Sequence, residues 1–238
     1  MRPKTLSVCM LVFFVVLTTF SCFAQQTYVN RFDVYTGYSF LSTPSLNLFQ
    51  NGFNTEIGWN ARTWVALGFD FSVFSGSNTI GPGVLNSTVQ QELGSAIAAL
   101  VEEGVIPPTY RLVVPTNSTI YTYSAGPQFN IRHFKPVTFF VRPALGGLHE
   151  SASLKPTDPV GAALVAGLVG PTLHTSDTVL FYGFGGGMDF NLSTHFGIRT
   201  AADFVHYNVF SNLLDGGRNS VRFSIGPTFR FGGNIVQK

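Results

Sequence analysis

The stretch Ser220–Phe231, SVRFSIGPTFRF, decides the fold because apolar residues occupy every second position. Successive side chains of a β-strand point to opposite faces. One face would be apolar throughout, with Val221, Phe223, Ile225, Pro227, Phe229 and Phe231. The other face would carry Arg222 and Arg230 among serine, glycine and threonine. In a soluble sheet the apolar face is the core, whereas in a membrane barrel it faces lipid, so the rest of the chain has to decide.

The N-terminus has the layout of a secretory signal peptide. Two basic residues precede the apolar run Met10–Phe20, and Cys22 and Ala24 stand three and one places before a cleavage point. We therefore predict that residues 1–24 are removed. Cys22 leaves a lipoprotein open as an alternative, but the residues before it lack the leucine expected three places upstream.

The exported remainder, residues 25–238, is predicted to form one barrel domain. Both cysteines, Cys9 and Cys22, fall in the signal peptide, which leaves no disulfide, thiol nucleophile or cysteine metal site. Removal of Arg2 and Lys4 reduces the 14 basic residues to 12, equal to the 12 acidic ones. A balanced charge of this kind gives no indication of nucleic-acid binding.

Eight segments repeat the alternation of the opening stretch. They are 32–40, 53–60, 65–73, 121–130, 137–146, 182–190, 196–204 and 220–231. After the signal peptide, no apolar run approaches the roughly 20 residues that a membrane helix needs. The chain is therefore predicted to be all-β, and its apolar faces must meet inside a sandwich or face lipid as a barrel.

The charged residues of the segments favour the barrel. All of them lie on the less apolar faces: Asp33, Glu56, Asp70, Arg142, Asp189, Arg199, Asp203, Arg222 and Arg230. The apolar faces carry no acid, lysine or arginine, which is typical of a lipid-facing surface. We therefore predict that the phenylalanines point into lipid and that the nine charged side chains form a structural ion network in the lumen.

The connections also favour an up-and-down barrel. Short links follow segments two, four and six, and longer links are predicted after segments one, three, five and seven. Short turns at one end and long loops at the other are typical of transmembrane barrels.

Several motifs resemble the small outer-membrane barrels of the OmpA and OmpX type from Gram-negative bacteria. The motifs are YTGYSF (35–40), YSAGPQF (123–129), FGGGMDFN (184–191), HFGIRTAADFVHY (195–207) and SIGPTFRF (224–231). The resemblance implies an eight-stranded antiparallel up-and-down barrel in the cell outer membrane. It also implies a monomer that contacts outer-membrane lipids and the barrel assembly machinery, with no cofactor. Because the chain stops soon after the eighth segment, no anchoring to the cell wall is predicted.

Two of the connections contain helical patterns. In loop 76–118, Ser87 and Gln90 fit a capping box, and apolar residues follow at helical spacing. In loop 150–178, Asp158 fits an N-cap and Gly170 a helix end. We expect the two helices to pack on each other as a lid over the barrel mouth, with an adhesive or partner-binding surface as the alternative.

No catalytic, metal or cofactor site is predicted, because an eight-stranded barrel is filled by its own side chains. The predicted role is structural or interactive, in envelope integrity or adhesion. Two alternatives stay open. One is an outer-membrane lipid hydrolase that uses His149 and Ser151, which share a strand face, and the other is a narrow solute channel.

Overall fold

The computed structural model describes residues 26–236, which form a closed antiparallel barrel of eight strands in sequence order. The strands are β1 (Asn30–Thr43), β2 (Leu48–Asn60), β3 (Val65–Ile80), β4 (Val114–Ile131), β5 (Val137–Leu154), β6 (His174–Asn191), β7 (Phe196–Tyr207) and β8 (Arg218–Asn234). Helix α1 (Ser87–Glu102) follows β3, and helix α2 (Pro159–Val169) follows β5. The predicted fold class is confirmed. The predicted signal peptide lies outside the described residues.

The barrel turns its apolar faces outward, as the charge pattern predicts. Leu145 is 65% exposed, whereas Arg199, on the inner face, is 1% exposed. The exposed apolar side chains around the lower two thirds of the barrel form a continuous surface that we call the membrane belt. Its members include Phe32, Phe53, Ile57, Leu67, Phe69, Phe129, Phe139, Val141, Leu145, Phe184, Phe190, Ile198, Phe204, Phe223, Ile225 and Phe229.

The strands continue beyond the membrane belt at the end that carries the helices. Strands β3 to β6 are 16 to 18 residues long, more than the roughly 9 to 11 residues that cross a bilayer. The prediction of a long loop after the first segment was wrong for this reason. Strands β1 and β2 reach Thr43 and Leu48, and a single 3-10 turn, Pro44–Leu46, joins them.

Above the belt the two faces of the barrel exchange character. The inner face becomes apolar, with Leu41, Phe74, Ile120, Leu148 and Phe181. The outer face becomes polar, with Ser75, Ser77, Thr119, His149, Ser151, Ser176 and Thr178. We call this part the upper barrel. Its pattern is that of a water-exposed protein, so the strands leave the lipid there.

Prolines inside the strands interrupt the ladder without shifting it. Pro127 and Pro143 lie in the β4–β5 ladder, where the register is the same at Ala125–Leu145 as at Phe129–Val141. Because proline lacks an N–H, the pairing is interrupted locally instead of forming a bulge.

The two helices begin at capping residues. At α1 the cap is Asn86 and not the predicted Ser87: the Asn86 side chain accepts a hydrogen bond from the Val89 N–H at 2.9 Å and donates one to the Asn212 carbonyl at 2.7 Å. The Asn86 amide can do both, which a serine hydroxyl at the next position would not match. At α2 the predicted cap, Asp158, accepts from the Gly161 N–H at 2.8 Å. None of the described helices is both long and apolar enough to cross a membrane.

The exchange of faces predicts different costs for one substitution at two heights. Phe69→Lys in the belt should lower the free energy of unfolding by about 2–4 kcal/mol, because lysine would face the centre of the bilayer. Ser77→Lys, on the same face of β3 in the upper barrel, should cost within about 0.5 kcal/mol, as exposed surface substitutions do. Urea titration in lipid vesicles, followed by the gel mobility of unboiled samples, measures both. Equal costs for the two variants would contradict the position of the belt.

Candidate functional site

The lumen below the upper barrel is filled by the nine predicted charged residues. They come from strands β1, β2, β3, β5, β6, β7 and β8, and eight of them are buried: Asp33, Glu56, Asp70, Arg142, Asp189, Arg199, Asp203 and Arg222. The ninth, Arg230, is half-buried near the opposite end of the barrel from the helices. All nine take part in ion pairs. We call this set the lumen network.

Arg199 is the centre of the lumen network. Its Nε and Nη2 donate to the two oxygens of Asp189 at 2.7 and 3.0 Å. Its Nη1 donates to Glu56 Oε1 at 2.8 Å, and its Nη2 also reaches Asp33 Oδ1 at 3.3 Å. One guanidinium therefore joins β1, β2 and β6 from its place on β7, and its contact with β2 crosses the lumen.

Asp203 is the second meeting point of charges. Arg142 binds both of its carboxylate oxygens at 3.0 Å, and Arg222 Nε donates to Oδ2 at 3.0 Å. Arg142 also pairs with Glu56, and Arg222 Nη1 lies 2.8 Å from Asp70 Oδ1. Contacts between Arg142 on β5 and Glu56 on β2, and between Arg222 on β8 and Asp70 on β3, cross the barrel. Beside these transverse pairs lies a small cavity of about 20 Å³, which Glu56, Asp70, Arg142 and Arg222 help to line.

Uncharged residues complete the network in ways that the pattern of charges did not predict. The Phe140 ring lies under both central arginines, 4.9 Å from the Arg199 guanidinium carbon and 5.6 Å from that of Arg142. Ser72 accepts from Arg222 Nη1 at 2.7 Å, and Asn60 donates to Asp33 at 2.9 Å. The sequence signal for Phe140 was its position on the polar face of segment 137–146.

Glycines on the inner face of β6 provide the space for this network. A Cβ atom on Gly185 would lie 1.9 Å from Asp203 Oδ1, and one on Gly187 would lie 2.8 Å from the Phe140 ring. Packing therefore explains the glycines of the motif FGGGMDFN. Only a residue without a side chain leaves room for Asp203 and Phe140 at these positions.

At the end of the lumen opposite the helices, Arg132 is a further half-buried base that the strand pattern did not identify, since it lies in the β4–β5 turn. It donates to the Thr63 carbonyl and to Asn60 Oδ1, each at 2.9 Å. Arg230 pairs with Asp189 at 3.2 Å. The two arginines close this end of the network.

The candidate hydrolase residues lie on the polar outer face of the upper barrel. His149 Nδ1 is 2.8 Å from Thr178 Oγ1, and Ser151 Oγ is 3.5 Å from Nε2 of a different histidine, His174. His174 Nδ1 is in turn 3.2 Å from Ser153 Oγ. The hydrogen bonds of the described chain therefore do not join His149 to Ser151, the pair that a serine nucleophile and its base would need.

The mouth of the barrel holds a cavity of about 620 Å³. Its walls are the inner face of the upper barrel, helices α1 and α2, and the β7–β8 loop. The lining is mostly aliphatic, and one acid, Glu150, faces it while being only 5% exposed. Sequence reasoning did not identify Glu150, although it continues the inner face of β5 from Arg142 by parity.

The described part of the chain, residues 26–236, contains no group of three or more histidine, cysteine, aspartate or glutamate side chains arranged to hold a metal ion.

Comparison with known proteins finds similarity in structure but not in sequence. No family model and no curated protein matches the chain. Ail, the attachment invasion locus protein of Yersinia pestis, aligns at 15% identity and a TM-score of 0.47, over 85% of this chain and 100% of that one. Neisserial surface protein A aligns at 11% identity and 0.49, over 84% and 96%, and OprG from Pseudomonas aeruginosa at 9% and 0.46, over 88% and 100%. The similarity concerns the fold.

The distribution of apolar and charged side chains over the barrel shows that the chain spans a membrane. Eight strands close without an edge, apolar side chains form a belt around the outside, and charged side chains fill the inside. In a soluble protein this distribution would be reversed. The chain is thus a membrane-spanning barrel of eight antiparallel strands, a fold that it shares with the outer-membrane proteins named above.

Proposed function

We propose that the protein is a sealed, non-catalytic barrel that contributes to envelope integrity and makes surface contacts through its outer loops. The observation that carries this proposal is the lumen network, whose ion pairs span the lumen from β5 to β2 and from β8 to β3. A solute would have to separate Arg142 and Arg199 from buried acids, and separating a buried ion pair costs several kcal/mol.

The outer end supports the interactive part of the proposal. Helix α1 is exposed along Gln90–Glu92, and residues 102–105 and 107–109 between α1 and β4 are largely exposed as well. The predicted loops 76–118 and 150–178 are shorter in the structure, because their ends belong to strands, and the links 81–113 and 155–173 are the surfaces through which a partner would bind. Contact with the assembly machinery and a monomeric state belong to the same proposal.

The absence of catalysis is supported by the surroundings of Ser151. Its hydroxyl lies at the long distance of 3.5 Å from His174, and both side chains are on the surface of the upper barrel. A nucleophile usually lies within about 2.6–3.2 Å of its base, in a site that also orients the base.

The first test of the seal is electrical. Purified protein in planar lipid bilayers should show no sustained single-channel steps, because the lumen network leaves no continuous path. The double variant Phe140→Ala/Arg142→Ala, which removes the ring beneath Arg199 and the guanidinium that joins Glu56 to Asp203, should show openings. Sustained steps from the unmodified protein would instead support the solute-channel alternative.

The second test concerns stability. Arg199→Leu should lower the free energy of unfolding by about 3–5 kcal/mol, because Asp33, Glu56 and Asp189 would each lose a buried partner. The control is Arg62→Leu in the exposed β2–β3 turn, which should change it by less than about 0.5 kcal/mol. Urea unfolding in lipid vesicles measures both. Similar small changes in the two variants would show that the network does not stabilise the barrel.

The third test concerns orientation. Protease added to intact cells should cut within residues 81–113 and 155–173, since these links join the strands at the helical end. The turns at 61–64, 132–136 and 192–195 should be cut only after the cells are opened. Cleavage of those turns in intact cells would reverse the proposed orientation.

A further inference from the structure

The cavity at the barrel mouth has the size of a ligand site. Its volume of about 620 Å³ falls within the roughly 300–1,000 Å³ typical of small-molecule pockets. Native cores are packed so closely that few voids exceed the size of a water molecule. A space this large between two helices and a barrel is therefore not a packing defect of an ordinary core.

Helices α1 and α2, from two different loops, both contribute to the walls of the chamber. Leu93 and Ile97 of α1 and Val165 and Leu168 of α2 face the same space, so both helices direct their apolar sides toward it. Helix α2 is held in place by Tyr110, whose hydroxyl donates to the Asp158 carboxylate at 3.0 Å. The sequence pattern predicted that the helices pack on each other as a lid, whereas in the structure a partly open chamber lies between them.

Two charged residues line the chamber: Arg111, which is exposed, and Glu150, which is buried. Glu150 is 5% exposed and lies in the wall together with Ser118. The Ser118 hydroxyl accepts a hydrogen bond from Gln50 at 2.8 Å, so its own proton is free for one carboxylate oxygen of Glu150. A carboxylate has about four acceptor positions, and most of those on Glu150 are left for a molecule in the chamber.

We propose that this chamber binds a small, mostly apolar molecule that carries one hydrogen-bond donating amine, with the amine at Glu150 and the apolar part between α1 and α2. Aliphatic walls select the body of the ligand, and a buried acceptor selects its head group, because a buried carboxylate without donors is costly. This site is separate from the lumen network, and the binding does not require the proposed structural or adhesive role.

The probe for the test is 1-aminoanthracene, whose fluorescence changes when it leaves water, with anthracene as the matched probe that lacks the amine. The full exported chain in lipid nanodiscs should bind 1-aminoanthracene saturably, beyond the partitioning measured in protein-free nanodiscs. Signal equal to that of protein-free nanodiscs at all concentrations would overturn the proposal.

Two variants locate the probe. Ile97→Trp places an indole in the chamber and should weaken binding of both probes by about tenfold or more. Ala98→Trp adds the same ring on the exposed side of α1 and should leave both affinities within about twofold. Equal effects of the two variants would show that the probe binds elsewhere.

The role of Glu150 is tested by Glu150→Met, which retains the volume of the side chain but removes its acceptors. Binding of 1-aminoanthracene should weaken by about tenfold, and binding of anthracene should stay within about twofold. Unboiled gel mobility checks that the variant is folded, and Glu150→Gln provides a second, milder variant if it is not. An equal loss for both probes, or tighter binding of anthracene-1-carboxylate than of the amine by the unmodified protein, would overturn the assignment of Glu150. Bilayer conductance tests the sealed lumen separately, so failure of one proposal is distinguishable from failure of the other.

Discussion

The constraint on which this structure depends is that every backbone N–H and C=O within the bilayer must be paired inside the protein. A chain without membrane helices meets this requirement only by closing its sheet, so β8 pairs with β1 and no edge is left. Closure gives each strand one face toward lipid and one toward a narrow lumen. The alternation in SVRFSIGPTFRF follows from that geometry, with the phenylalanines outside and Arg222 inside, paired to Asp70 and Asp203.

Closure also explains why the charges occur as a balanced group. A narrow lumen cannot hydrate an isolated carboxylate, and each acid on one wall therefore requires a base that can reach it. Arginine suits this task because its planar group has five donors and can bind several acceptors at once. Arg199 uses this capacity fully, since it contacts three carboxylates and stacks over Phe140. The inner glycines of β6 are the steric counterpart of these large groups, so composition and charge on that strand have a common cause.

The sequence was sufficient for what depends on parity alone: the eight strands within the membrane belt and their outward and inward faces. It was insufficient for features that depend on the position of a residue along the barrel axis or on contacts between distant parts of the sequence. The first loop was expected to be long because the alternation in Ser39–Asn51 loses its strong contrast where the strands leave the lipid. Phe140 was not recognised because its role requires Arg199, which is distant in sequence and adjacent only after closure. Asn86 replaced Ser87 as the cap because its second hydrogen bond goes to Asn212 in another loop.

The change of solvent along the strands connects the lumen to the mouth. Within the membrane belt the apolar side chains face lipid, and the charged side chains of the same strands face the lumen. Above the belt, water surrounds the outer face and the same parity turns the apolar residues inward, where Leu41, Phe74, Ile120 and Leu148 pack into a core. That core reaches the chamber through Ala152, Phe210 and Leu214, so apolar side chains lie between the charges below and the space above. Glu150 stands on the chamber side of this layer, on the same strand face as Arg142, and the positive charge of the buried Arg218 on β8 acts on it.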